Sequence, residues 1–99
     1  MSQPLPAARI EAALDDATTR VNLPREQIEV VIAESVTWAD GSLGCPQPGM
    51  MYTQALVPGF RIVLNAGGQL LAYHAGKDAP PMFCPAERVV SPARVDGVR

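Results

Sequence analysis

Phe60-Arg61-Ile62-Val63-Leu64-Asn65-Ala66-Gly67-Gly68-Gln69-Leu70-Leu71-Ala72-Tyr73-His74 contains a strand, a turn and a returning strand in one stretch. Gly67-Gly68 supplies the positive φ angles of a tight hairpin, so residues 60–64 and 69–74 are expected to pair antiparallel. Just ahead, Val57-Pro58-Gly59-Phe60 puts proline and glycine at the two central positions of a type II turn, and residues 51–56 are short and apolar enough to be another strand. Further back, Ile28, Val30 and Ile32 alternate with Glu29, Val31 and Ala33. The β-branched content favours a strand that runs on to Trp38. Together these stretches predict a four-stranded antiparallel meander.

Outward on the N-terminal side, Ile10, Ala13, Leu14, Ala17 and Val21 fall on one helical face, with Pro4 and Pro6 in the first turn where proline is tolerated. Glu11, Asp15, Asp16 and Arg20 lie largely on the other side. The spacing predicts an amphipathic helix over residues 5–21, ended by Asn22 and Pro24, and a single reversing turn at residues 23–26. On the C-terminal side, residues 75–81 read as loop and Met82-Phe83-Cys84 as a short apolar hook. From Ala86 onward there is no helical or alternating pattern, which predicts a disordered tail. The fold class is α+β, one N-terminal helix packed on the meander, with a single domain over residues 1–85 and the tail over 86–99.

The 99 residues bury a modest core, and with aromatic residues at only 5% that core must be mainly Val, Ile, Leu and Ala. Residues 1–50 carry a net charge of −4 and residues 51–99 one of +2. Neither half is a basic stripe, so nucleic acid is not an expected partner. No apolar run approaches the ~20 residues of a membrane span, and the first residues have no basic and then apolar signal pattern. As given, the chain reads as cytoplasmic, and as exported if an N-terminal signal was removed from it.

The most prescribed backbone lies in residues 36–60, which hold the sole Trp, one of the two cysteines, three prolines and four glycines. Val36, Thr37, Trp38, Asp40, Gly41, Ser42, Leu43, Gly44, Cys45, Pro46, Pro48, Gly49, Met50 and Tyr52 form a Val-Thr-Trp-x-Asp-Gly-Ser-Leu-Gly-Cys-Pro-x-Pro-Gly-Met-x-Tyr core. That core resembles a largely uncharacterised family of small bacterial proteins and lipoprotein domains. The resemblance implies no activity. Its exported-looking members imply an oxidising compartment for the cysteines. The helix-then-meander outline is also similar in architecture to PepSY-type modules, some of which act in inhibition or export.

Cys45 and Cys84 stand 39 positions apart. A bridge between them would contribute about 4 kcal/mol in the chain-entropy model and pin the hook to the loop. Buried free thiols are the second reading and metal or redox chemistry the third, with no C-x-x-C motif in favour of redox. Cys45, His74 and Cys84, with Met50, Met51 and Met82 nearby in sequence, are soft-ligand types suited to Cu(I) or Zn, but their spacing matches no standard zinc pattern. No cofactor is expected. Asp40, Ser42 and His74 supply the residue types of a nucleophilic triad, but glycine stands immediately before Ser42, where a nucleophile elbow has it two before. Asp40 and Ser42 therefore read as turn formers, and the chain is not read as an enzyme.

Trp38 has two readings, an anchor sealing the core under the loop or an exposed binding residue with Tyr52 and Phe60. The leading functional expectation is a non-enzymatic interaction module whose stiff loop presents a protein- or peptide-binding surface, inhibitor-like in one version. Its residues are Trp38, Asp40, Ser42, Leu43, Pro46, Gln47, Pro48, Met50 and Tyr52. A soft-metal or thiol-redox protein is the alternative, and a structural or homodimeric protein built by strand addition is the third reading.

Overall fold

The computed structural model describes residues 7–93. Helix α1 spans Ala7–Val21. The predicted start at Leu5 lies outside the described residues. Asn22 ends the helix in the left-handed region, at φ 56°, a conformation asparagine tolerates. A 3₁₀ turn at Arg25–Gln27, closed by the Gln27 N–H on the Pro24 carbonyl, reverses the chain as expected.

Strand β1 (Ile28–Trp38) follows with the predicted bounds, then β2 (Val57–Ala66), β3 (Gln69–Gly76) and β4 (Met82–Cys84), paired antiparallel in the order β1-β2-β3-β4. The Gly67-Gly68 hairpin is present, with both glycines at positive φ. The architecture is the expected helix on a four-stranded antiparallel sheet, but two of its strands differ from the reading. Residues 51–56 are not a strand, and the fourth strand is the Met82–Cys84 hook, which pairs with Ala72, Tyr73 and His74.

Pro58-Gly59 is not a turn either. Both residues lie inside β2, opposite Thr37 and Val36, and the proline sits near the strand's start, where a missing N–H costs least. Gly59 is required by a close approach. A β-carbon there would lie 2.1 Å from the Ala75 carbonyl and 2.7 Å from Nε1 of Trp38. The type II turn is found ten residues earlier, at Gln47-Pro48-Gly49-Met50, where Gly49 has φ 78° and the Met50 N–H meets the Gln47 carbonyl at 3.2 Å.

Alternation divides the sheet into two faces. Phe60, Ile62, Leu64 and Ala66 on β2, with Leu71, Tyr73 and Ala75 on β3, form the core with Ala13, Leu14 and Ala17 of α1. Each fully buried Leu or Ile in that layer contributes about 1.5–3 kcal/mol. A register shift between Val30 and Ile32 bulges β1, the long edge strand. At the other edge of the core, the Tyr73 hydroxyl donates to Asp16 at 2.6 Å, and Arg20 pairs with Asp16 while covering the Phe83 ring at 3.9 Å.

The opposite face is covered by chain that has no regular structure. The expected loose tail does not begin at Ala86. Ala86–Arg88 form a 3₁₀ turn, the Val90 N–H donates to the Gly44 carbonyl at 2.9 Å, and the Ala93 N–H donates to the Thr37 carbonyl at 2.8 Å. Residues 85–93 therefore cross the sheet from β4 back to the end of β1, held by backbone hydrogen bonds that leave no mark in side-chain patterning. Residues 94–99 lie outside the described residues.

Candidate functional site

The loop between β1 and β2 is built upward from Trp38. Its indole is fully buried, and Nε1 donates to the Ala75 carbonyl at 3.0 Å across the glycine-lined gap at Gly59. The ring stacks on His74 with centroids 4.4 Å apart. Of the two readings for Trp38, the structure shows the anchor, since a ring with no exposed surface offers nothing to a partner. Gly44 lies directly on it. A β-carbon at that position would come within 2.4 Å of Cζ3 of Trp38 and 2.7 Å of the Val90 carbonyl.

Asp40 opens the loop as a turn former. Its Oδ1 accepts both the backbone N–H and the hydroxyl of Ser42, at 2.9 and 2.6 Å. Those bonds, the hydroxyl's first, hold the carboxyl below its usual range. The next turn, closed by the Cys45 N–H on the Ser42 carbonyl at 3.0 Å, has Leu43 at φ 57° and Gly44 at φ 71°. Two successive positive φ angles are the mark of a type I′ turn, and for Leu43 the conformation costs about 1–2 kcal/mol. The strain is held by what surrounds it. The Leu43 carbonyl accepts from Nδ1 of His74 at 2.9 Å, and Cys45 is joined to Cys84 by a disulfide with Cα atoms 5.9 Å apart.

Four ties thus converge on residues 43–45: the His74 hydrogen bond, the disulfide, the Val90 hydrogen bond and the Trp38 ring. Burial pushes the His74 pKa down, and Arg61, its register partner on β2, adds to that. Accepting carbonyls of Leu43 and Gly44 pull the other way without prevailing. Arg61 itself is paired with Glu34 at 2.5 Å.

Beyond Cys45 the loop turns outward. Pro46 is half-buried, whereas Gln47, Pro48, Gly49, Met50 and Met51 are exposed, Met51 to 94%. The Tyr52 hydroxyl accepts the Gln47 N–H at 3.0 Å and braces this arc, and the Gly41 N–H donates to the Thr53 carbonyl at 2.8 Å. The nine residues expected to form a binding surface therefore fall into two sets. Pro46, Gln47, Pro48, Met50 and Tyr52 make the outer arc and its brace. Trp38, Asp40, Ser42 and Leu43 make the base that holds it.

Cys45, His74 and Met82 come together on the walls of one hollow and Cys84 joins Cys45, but the cysteines and the histidine are otherwise engaged. Both sulfurs are bonded to each other, and the His74 Nδ1 is committed to Leu43. Among the described residues no group of three or more His, Cys, Asp or Glu side chains is gathered to hold a metal ion, and no helix is long and apolar enough to cross a membrane.

Three contributors to the site were missed in the sequence: Gly59, Arg88 and Val90. Gly59 was hidden by a Pro-Gly pair that reads as a turn. Arg88 and Val90 carry no motif, and the usable signal was Cys84, since a cystine positions the chain on either side of it.

Residues 10–84 match the model of a family described as Domain of unknown function (DUF8738). The chain belongs to that family. The matched span runs from the first core residue of α1 to the cystine partner at the end of β4, so the family is defined over the helix, the whole sheet and the loop. No curated protein and no solved structure matches the chain.

Proposed function

We propose that this member of the DUF8738 family is a non-enzymatic interaction module that presents the outer arc, residues 46–52, to a protein or peptide partner. The observation that carries the reading is the contrast within one loop. Its base is tied at residues 43–45 by a disulfide, two hydrogen bonds and a stacked indole, while the arc above it is exposed and preset as a type II turn. A segment held in shape before binding loses less entropy on binding, and its affinity gains accordingly. An inhibitor-like mode, in which the arc occupies a protease cleft, draws on the same stiffness.

We further take the family to be bacterial, with the Val-Thr-Trp to Met-x-Tyr core as its mark. The cystine supports placing the protein in an oxidising compartment.

The test is recovery of partners by the oxidised protein and by a Pro46→Ala, Pro48→Ala variant, with an exposed helix substitution, Thr19→Ala, as control. The loop variant should lose partner recovery while the helix variant retains it. Identical partners at identical yield from all three would end the loop reading.

A further inference from the structure

The segment after β4 brings Arg88 beneath the loop. There Ser42, Leu43, Tyr52, Met82 and Phe83 join it around a hollow of about 200 Å³, which lies below the ~300–1,000 Å³ range of ordinary small-molecule pockets. That space suits one amino-acid-sized group and nothing larger. Among the described residues, Arg88 is the only permanently charged side chain on the walls. Glu87, next to Arg88 in sequence, is exposed and makes no ion pair with it among the described residues, and Asp40 accepts two bonds from Ser42 on Oδ1.

The bonding of Arg88 sets it apart. Arg9, Arg20, Arg25 and Arg61 each reach an oxygen acceptor. Among the described residues, the Arg88 Nε is buried with no acceptor, and Nη2 reaches only the Cys45 sulfur at 3.8 Å. Nε and Nη2 share the edge with which a guanidinium grips a carboxylate through two parallel bonds. A buried donor without an acceptor costs about 1–3 kcal/mol, more when charged, and an entering anion would relieve that cost. The Tyr52 hydroxyl, which accepts from Gln47, keeps its own hydrogen to donate. One cation and one hydroxyl beside Leu43, Met82 and Phe83 suit a single negative charge on an apolar body better than a phosphate, which gathers several cations or backbone N–H groups.

We propose that this hollow binds a carboxylate joined to a small apolar group, with Arg88 gripping the carboxylate and Tyr52 donating to it. Two sources share that chemistry, a free small acid and the C-terminal residue of a peptide. The second would make the hollow part of the interaction surface proposed above and rests on that reading.

The test follows amide ¹⁵N–¹H spectra of the intact, oxidised protein during titration with N-acetyl-leucine, N-acetyl-leucine amide, and two short peptides ending in leucine, one with a free carboxylate and one amidated. The free acid should shift the amides of Gly41, Ser42, Gln47 and Arg88 saturably, and the amide should not. Arg88→Gln should weaken binding at least about tenfold and Tyr52→Phe by less. A free-carboxylate peptide binding about tenfold tighter than the acid would name a peptide end as the source, and equal affinity would name the free acid. The proposal is overturned if neither acid nor peptide shifts these amides up to about 10 mM, if the amides titrate like the acids, or if Arg88→Gln binds as the parent does. Should Arg88→Gln fail to fold, unchanged binding by Tyr52→Phe overturns it in its place. A failed titration beside intact partner recovery by the loop removes this pocket and leaves the interaction reading standing, and the reverse result separates them equally.

Discussion

Gly44 and Gly49 both have positive φ, but of the two only Gly44 is also pressed against its neighbours. Gly49 has φ 78° and nothing within 4 Å of a hypothetical β-carbon, whereas Gly44 has φ 71° and would drive that carbon into Trp38 and the Val90 carbonyl. Gly49→Ala should therefore cost about 1 kcal/mol from backbone conformation alone, and Gly44→Ala at least about 2 kcal/mol more. Urea unfolding followed by fluorescence of the single tryptophan measures both, and equal losses would show that Gly44 matters only for its φ. His74 supplies the pH dependence. Its pKa is lowered by burial, so the unfolded chain takes up the proton first. The stability it lends is complete above about pH 6.5 and declines as pH falls from there through the lower folded value. The urea midpoint should drop between about pH 7 and pH 5, and His74→Gln should flatten that slope. Asp16 responds in a lower range. Burial alone would raise its pKa, but hydrogen bonds from Tyr73 and Arg20 outweigh that and hold it below the usual value, so its contribution is lost only on further acidification.

At the scale of elements, legibility followed the strength of local patterning. Helix α1, strand β1 and the Gly67-Gly68 hairpin were readable because amphipathic spacing, β-branched alternation and paired glycines each have one structural meaning. The two strand errors came from segments whose meaning depends on partners distant in sequence. Met82–Cys84 is too short to show alternation and becomes a strand only because β3 lies open beside it. Residues 51–56 are apolar enough for a strand, but β2 already has β1 and β3 as neighbours and the segment pairs with neither edge strand, β1 or β4. The same dependence explains the site. The Gly/Pro loop was visible as a prescribed segment and Trp38 as an anchor beneath it was one of its two readings, but that Arg88 would be one of the walls is decided by the crossing of residues 85–93 over the sheet. The disulfide is what fastens this crossing to the loop. Replacing both cysteines with serine should cost about 4 kcal/mol, and amide hydrogen exchange should quicken in residues 41–45 and 85–93 before it does in β2. Uniform acceleration across the sheet would mean that the bridge stabilises the whole molecule without holding these segments in particular.

At the scale of the molecule, the described residues form three layers: helix α1, the sheet, and a covering made of two irregular segments. The helix layer is sealed by apolar packing of its inner face, Ala13, Leu14 and Ala17, where little change is tolerated. The irregular layer is sealed by a few directional bonds, the cystine and one indole, which leaves the arc above it free to vary in sequence without loosening what lies below. The Cys45–Cys84 bond also closes a covalent ring that contains the exposed arc together with β2, β3 and the hairpin. A protease that cuts the arc opens this ring without releasing a fragment. The new chain ends stay tethered through the cystine, so hydrolysis at this surface leaves the molecule in one covalent piece.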